Sequence, residues 1–250
     1  MRVLLTLMRR EMASYFLSLS GYVIIAAATF LNSFGFVLLL MQLRQSASPM
    51  PVTEMYYVTP IFWIVLLLAV PVITMRSFAL ERATGTYETL MTSPVREGTV
   101  VLAKFFSALF FYLVMWLPMI AVVTVIQHFS NERQSLDPSI IGSTYLGILL
   151  VGALFLSFGI FASALTKSQT VAAMVSLALC TSLFLLGFLP SLLPDTATRA
   201  AKLLAWVALF DHMHDFARGV IDTRPAIFFV SFTVFFLVLT LRVVESRRWK

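Results

Sequence analysis

Six stretches of almost uninterrupted apolar residues divide the chain. A helix needs about 20 apolar residues to cross the hydrocarbon core of a bilayer. The pattern therefore predicts six membrane-spanning helices over residues 21–42, 58–78, 101–127, 142–165, 169–189 and 225–244. The first stretch is too long for the apolar core of a signal peptide. We expect an all-α integral membrane protein whose residues 1–250 form one transmembrane domain.

The first 18 residues precede the spans and carry an amphipathic helical pattern. Every fourth residue from Leu4 to Phe16 is apolar, and Arg2 and Arg9 lie on the opposite helical face. This pattern is typical of a helix in the plane of the membrane interface, with its basic side toward the lipid headgroups. We predict an interfacial helix over residues 1–18, and the alternative is an inward extension of the first span.

Composition supports an environment of membrane lipid. Hydrophobic residues make up 60% of the chain and charged residues 12%, whereas soluble domains have roughly 25% charged residues. A soluble fold of this size has no core large enough to bury so much apolar surface. The chain has a single cysteine, Cys180, so no disulfide forms inside the chain. Cys180 lies within an apolar run.

The charges are distributed unequally between the two sides that six spans would create. The side with both termini has twelve basic and five acidic residues, and the opposite side has six basic and seven acidic residues. Basic residues are enriched on the cytoplasmic side of membrane proteins. We therefore expect both termini in the cytoplasm. The net charge of +6 reflects this topology, and we expect no nucleic-acid partner.

The predicted spans contain no acidic residue or histidine at membrane depth. Proton pumps and ion-coupled carriers need ionisable groups there. Arg76 and Lys104 lie near the ends of their spans, where we expect them to extend toward the headgroups. Sequence motifs of serine hydrolases, zinc proteases and phosphate-binding loops are missing. We predict no catalytic, cofactor-binding or metal-binding residue in this chain.

Small residues recur at four-residue spacing in the fourth and fifth spans. Such spacing lets helix backbones approach closely in lipid. We expect these positions to serve helix packing rather than substrate contact. They are Ala153 with Ser157, Gly159 with Ser163, and Ala172 with Ser176 and Cys180.

Residues 79–100 connect the second and third spans and contain several helix-boundary signals. Gly85 favours a helix end, and Thr86 with Glu88 favours the start of a short helix. Ser93 and Pro94 then favour the start of a further helix that leads into the third span. The loop is either a docking surface for a soluble partner or a solvated connector, and composition does not decide between them.

A larger pattern surrounds this loop. It consists of Pro71, Met75, Arg76, Glu81, Arg82, Gly85, Thr86, Glu88, Leu90, Pro94, Val95 and Lys104. The pattern resembles the ABC-2 family of ATP-binding-cassette transporter permeases. The C-terminal stretches 210–224 and 243–250 are similar to the gliding-motility (GldF-like) branch of that family.

The resemblance implies a permease subunit in the inner membrane of a bacterium. It implies two cytoplasmic ABC ATPase subunits, which carry ATP and Mg, and a second permease chain that is either identical or a sibling. A partner with a periplasmic domain is a further candidate. The loop 79–100 would be the coupling region. The implied ATPase contacts are Glu81, Arg82, Gly85, Thr86, Glu88, Thr89, Leu90, Pro94 and Val95.

Residues 195–224 lie between the fifth and sixth spans and are too polar to cross a membrane. The resemblance implies short re-entrant helices on the outer face. Two histidines flanked by aspartates suggest a metal site, but residues two apart on a helix point in nearly opposite directions, so we favour a structural network or an outer gate. The expected gate residues are Phe210, Asp211, His212, Asp215, Phe216, Arg218, Gly219 and Asp222.

The expected function is export, or transmission of motion across the membrane, driven by ATP hydrolysis on the partner. Two other classes remain open at this point. A lipid-modifying membrane enzyme would act without an ATPase, and a non-transporting membrane scaffold would form the same complex without needing hydrolysis.

Overall fold

A computed structural model describes residues 2–45, 56–57, 59–87, 95–129, 138–192, 209–220 and 222–246. Within these ranges the regular elements are all α-helices. They are α1 (Arg2–Phe16), α2 (Leu19–Gln45), α3 (Pro60–Thr74), α4 (Ala79–Ala83), α5 (Glu97–Phe129), α6 (Pro138–Leu165), α7 (Gln169–Leu192), α8 (Leu209–Ala217) and α9 (Thr223–Ser246).

Six segments of the described chain are long and apolar enough to cross a membrane. Five of them lie in α2, α5, α6, α7 and α9, and the sixth runs from α3 through α4. The prediction of an all-α membrane protein with six spans is confirmed. Helix α5 begins at Glu97 and not at the predicted Pro94, since Val95 and Arg96 are not helical; Glu97 in its first turn suits the positive end of the helix dipole.

Helix α6 lies at the centre of the bundle and packs against α3, α5, α7, α8 and α9. In the most apolar part of α6, 83% of the residues are buried, whereas in the corresponding parts of α7 and α9 only 22% are buried. Two glycines allow this enclosure. A Cβ atom on Gly152 would lie 2.1 Å from Cε1 of Tyr112, and one on Gly159 would lie 2.0 Å from Oγ1 of Thr74.

The small-residue positions of α6 and α7 are buried, which confirms that they serve packing. Ser157, Ser163, Ala172, Ser176 and Cys180 are fully enclosed. Their short side chains let α6 and α7 approach each other and let α3 approach α6, as is usual for helices in lipid.

Helix α1 is a separate helix and not an extension of α2. The chain turns at Leu17 and Ser18, where the Ser18 hydroxyl accepts a hydrogen bond from the Gly21 backbone N–H at 3.2 Å. The Tyr15 ring stacks on Phe111 of α5, with centroids 5.0 Å apart. A Cβ atom on Gly21 would lie 2.0 Å from the Tyr15 carbonyl oxygen, so glycine permits this tight corner.

Candidate functional site

One buried lysine joins three helices at one end of the bundle. We call this end, which holds α1 and α4, the basic end. Lys104 of α5 has only 2% of its side chain exposed. Its Nζ lies 3.0 Å from Glu11 Oε1 of α1 and 2.8 Å from Glu81 Oε1 of α4. We call these three residues the lysine node.

The node explains how a charge is accommodated inside the protein. A buried ammonium group is costly unless it is paired and hydrogen-bonded. Here two carboxylates receive it, and the Phe78 ring lies 5.2 Å from Nζ. The expectation that Lys104 extends toward the headgroups is therefore wrong. Arg76 is exposed, and its guanidinium donates a hydrogen bond to Ser20 Oγ at 2.8 Å.

Helix α4 is also bonded to the end of α6. The Ser163 hydroxyl oxygen accepts hydrogen bonds from the backbone N–H groups of Phe78 and Ala79, both at 3.0 Å. Arg82 donates from Nη1 to the Ala164 carbonyl oxygen, and its guanidinium lies over the Tyr87 ring at 4.8 Å. An arginine at the last carbonyls of a helix is favourable because the helix dipole is negative there.

The expected ATPase contacts divide into two groups in the structure. Glu81 and Arg82 turn inward, with 12% of the Glu81 side chain and 9% of Arg82 exposed. Gly85 and Thr86 are exposed, and Gly85 adopts a φ of 75° after the end of α4, as expected for a glycine that ends a helix. Val95 packs partly against the core. Glu88, Thr89, Leu90 and Pro94 lie outside the described residues.

Sequence reasoning missed the partners of Lys104. Glu11 was not among the candidates, although it is the only acidic residue of α1. Lys104 is likewise the only charged residue in a long apolar stretch of α5. A lone acidic residue in α1 and a lone lysine in an apolar stretch of α5 are the signal that would have suggested the pair.

A cavity of about 680 Å³ lies beside the lysine node, between α1, the start of α2, the end of α3 and α4. We call it the interfacial cavity. Its wall is charged and polar on one side and apolar on the other. The residues that define these two sides are Arg10, Glu11, Ser20, Arg76, Glu81, Val23, Ile24 and Val72.

Comparison with protein-family models matches residues 39–242 to the ABC-2 family transporter proteins. The match extends from the end of α2 nearly to the end of α9. The chain belongs to the ABC-2 transporter family. It is thus the permease subunit of an ABC transporter, a class that generally works with a cytoplasmic ABC ATPase. No curated protein gives a significant match to the chain. Membership of the gliding-motility branch stays a prediction.

At the opposite end of this ABC-2 permease, α8 packs closely on the first half of α6. A Cβ atom on Gly147 would lie 2.9 Å from Phe216 Cβ and 3.0 Å from Met213 Sδ. The Ser143 hydroxyl donates to the Phe216 carbonyl oxygen at 2.8 Å. Phe210 stacks on Trp63 of α3, with centroids 5.6 Å apart. The apolar side of α8 therefore anchors it on two spans.

Asp215, Gly219 and Asp222 of the expected gate residues lie at the end of α8 and in its connection to α9. Gly219 has a φ of 87°, and the Val220 N–H donates to the Asp215 carbonyl oxygen at 3.0 Å, a common helix-ending arrangement. Asp222 Oδ1 accepts a hydrogen bond from the Arg224 N–H at 3.1 Å and so caps α9.

His212 of the permease lies near two rings of α9. Its ring centroid is 6.1 Å from that of Phe228 and 6.0 Å from that of Phe229. Asp211 and Arg218 are exposed. Among the described residues no three histidine, cysteine, aspartate or glutamate side chains lie close enough together to hold a metal ion.

Proposed function

We propose that this permease couples ATP hydrolysis by a cytoplasmic ABC ATPase to a rearrangement of its spans, for export or for transmission of motion across the membrane. The observation that carries the proposal is the lysine node, which joins α4 to α1 and α5 through charges buried at the basic end. A solvated connector would have no need of such a junction.

The basic end would face the cytoplasm of a bacterium, with the spans in the inner membrane. The excess of basic residues on that side supports this orientation. ATP and Mg would be bound by two copies of the ATPase, and the permease would pair with a second permease chain, identical or sibling. A protein with a periplasmic domain would be a further partner.

The docking surface would begin at the exposed residues Gly85 and Thr86 and continue through the predicted contacts Glu88, Thr89, Leu90 and Pro94. Glu81 and Arg82 would act behind this surface rather than on it. Their side chains point inward, toward Lys104 and toward the Ala164 carbonyl oxygen. They would hold α4 to the spans while the exposed loop contacts the ATPase.

Movement of α4 would reach three helices together. The Lys104–Glu81 pair joins α4 to α5, and the Lys104–Glu11 pair joins α5 to α1. Hydrogen bonds to Ser163 and from Arg82 join the α4 region to α6. Separating a buried ion pair is costly, so these elements resist independent motion. The driving free energy would come from ATPase contacts that differ between two states of the permease.

The same rearrangement would extend to the opposite end through α6. Helix α8 packs on α6 at Ser143 and Gly147, and α8 contains most of the expected gate residues. Tilting α6 would therefore displace α8. The six predicted spans contain no acidic residue or histidine, which favours an apolar or lipid-linked cargo, or motion passed to an outer partner without cargo.

The test is affinity purification of the tagged permease from native membranes, followed by identification of bound proteins and an ATPase assay. We expect a stoichiometric ABC ATPase. The double variant Thr86→Asp, Glu88→Lys should reduce the amount of ATPase that is recovered, because opposite charges set docking register. Arg242→Gln is the matched control, since Arg242 is a largely exposed residue of α9 paired with Glu245. Full activity of a preparation without any ATPase would refute the proposal.

A further inference from the structure

We infer that the interfacial cavity is a binding site for the headgroup of a phospholipid that carries a primary ammonium group, of the phosphatidylethanolamine type. The cavity lies where α1 meets the first residues of α2 and the last residues of α3. Its volume of about 680 Å³ is in the range of small-molecule sites, which is roughly 300–1,000 Å³.

One part of the wall suits the phosphodiester. Arg10 and Arg76 line it, and the hydrogen bond from Arg76 to Ser20 Oγ fixes a guanidinium beside the start of α2. Leu19, Ser20 and Gly21, the first turn of that 27-residue helix, also line the cavity. The N-terminus of a helix carries a partial positive charge, so guanidinium groups and dipole favour an anion at the same place.

Another part of the wall suits the ammonium group. Glu81 Oε1 is bound to Lys104, but Glu81 Oε2 is buried and has no hydrogen-bond partner within the described part of the chain. A buried carboxylate oxygen without a donor is unfavourable. The Glu81 side chain lines the cavity together with Glu11. A primary ammonium group has three donors, and a rotation of the Glu81 carboxylate toward the cavity would let it supply the missing hydrogen bond.

The apolar part of the wall gives the acyl chains a route into the membrane. Val23, Ile24 and Val72 line the cavity, and Val23 and Val72 are 58% and 39% exposed on the outside of the bundle. Both belong to segments that are apolar enough to span a membrane, so they offer acyl chains an apolar surface to follow. A lipid with its headgroup in the cavity would lay its chains along the surface shared by α2 and α3.

The charges select among lipids. Two arginines and two glutamates line the cavity, and a zwitterionic headgroup matches both signs. Phosphatidylglycerol has the phosphate but no ammonium group. Phosphatidylcholine has a quaternary ammonium group, which has no N–H to donate to Glu81. The bound lipid would contact α1, α2, α3 and α4 at once, and this inference does not depend on the proposed ATPase coupling.

The experiment measures lipid retention on the purified full-length permease by native mass spectrometry. The protein is delipidated in detergent and exposed to equal amounts of phosphatidylethanolamine, its N-methyl and N,N-dimethyl derivatives, phosphatidylcholine and phosphatidylglycerol. We expect retention to fall with each methyl group. The loss from the first lipid to phosphatidylcholine should be about tenfold, as for one hydrogen bond to a charged group.

Variants locate the site. Arg76→Gln should reduce phosphatidylethanolamine retention about tenfold, because it removes a charge-assisted contact to phosphate. Arg242→Gln removes the same charge from a largely exposed position of α9 and should leave retention unchanged. Val72→Trp fills the apolar side of the cavity without altering its charges and should reduce retention at least as much as Arg76→Gln, which provides a second test if the Arg76 variant folds poorly.

Four outcomes would overturn the inference. Equal retention of phosphatidylethanolamine and phosphatidylcholine would remove the role of Glu81. Preferential retention of phosphatidylglycerol would make the cavity a purely anionic site. Equal effects of Arg76→Gln and Arg242→Gln would show that lipid binds elsewhere. Competition by millimolar inorganic phosphate would indicate a site for the free anion rather than for a lipid.

Discussion

Lys104 and Glu81 are 23 positions apart in the sequence, yet Nζ of the first lies 2.8 Å from Oε1 of the second. Replacing Lys104 with Met keeps the length of the side chain and removes its charge. Two largely buried carboxylates then lose their partner. We expect a loss of about 3 kcal/mol, the usual cost of breaking a buried pair, measured as a lower thermal midpoint in detergent.

A triple variant tests whether the loss comes from the unpaired charges. Lys104→Met combined with Glu11→Gln and Glu81→Gln removes all charges of the lysine node. Because neutral replacements of a buried ion cluster are often tolerated, most of the stability should return. ATPase stimulation should be lower than in the wild type for both variants, since α1 and α4 are no longer joined through Lys104. A triple variant as unstable as Lys104→Met alone would contradict this account.

Arg82 is predicted to stabilise the permease rather than to contact the ATPase. Arg82→Gln removes the hydrogen bond to the Ala164 carbonyl oxygen and the contact with the Tyr87 ring. We expect a loss of about 1.5–3 kcal/mol, the range for hydrogen bonds to charged groups. At a temperature where the variant is folded, ATPase binding should be normal. Weaker binding without any change in thermal midpoint would instead assign Arg82 to the docking surface.

Glycines of α6 provide a matched comparison of helix packing. Gly152→Ala and Gly159→Ala place a methyl group about 2 Å from Tyr112 and Thr74, respectively. We expect a destabilisation of about 1–3 kcal/mol from overpacking. A Cβ on Gly142 of the same helix meets no atom within 4 Å. Gly142→Ala should leave stability unchanged or raise it, because alanine is the better helix former. Equal effects at these positions would contradict the close approach.

Tyr15 predicts a pH dependence at the α1–α2 corner. Burial raises the pKa of its phenol from 10.0 to about 12, and Glu11 adds to the rise. The folded state therefore holds the proton more tightly than the unfolded state. This contribution to stability is complete below pH 10 and is lost as pH rises through 12.

The measurement compares the wild type with Tyr15→Phe. The difference between their thermal midpoints should shrink as pH rises from 10 through 12, because only the wild type has the Tyr15 phenol to ionise. Difference absorbance of the tyrosinate should place the transition in the same interval. Titration of Tyr15 near its usual pKa would contradict its burial.

The six spans could be predicted because lipid imposes a simple local requirement on each of them. About 20 apolar residues in a row are enough to identify a span without knowledge of its neighbours. The packing role of Gly159 and Ser163 was likewise predictable from their spacing. The helix end at Gly85 was predictable from the freedom of glycine to adopt positive φ values.

The lysine node could not be predicted in the same way, because it depends on which distant residues meet. Glu11 lies 93 positions from Lys104. Considered alone, a lysine near the end of a span is expected to reach the headgroups. Only the folding of α1 and α4 onto α5 brings two carboxylates to it. Arg82 was assigned to the surface for the same reason, because its acceptor belongs to α6 and not to its own loop.

The central position of α6 has a consequence for how the protein is made. On the side of α9, α6 presents aromatic rings, and Phe158 and Phe161 lie 4.3 and 5.7 Å from Phe236 between ring centroids. Helix α9 leaves the ribosome after α6. Before α9 is inserted, these rings can contact acyl chains at little cost in free energy, because lipid is as apolar as the surface of α9 that later replaces it. Insertion of α6 can thus precede that of α9 without leaving these rings exposed to water.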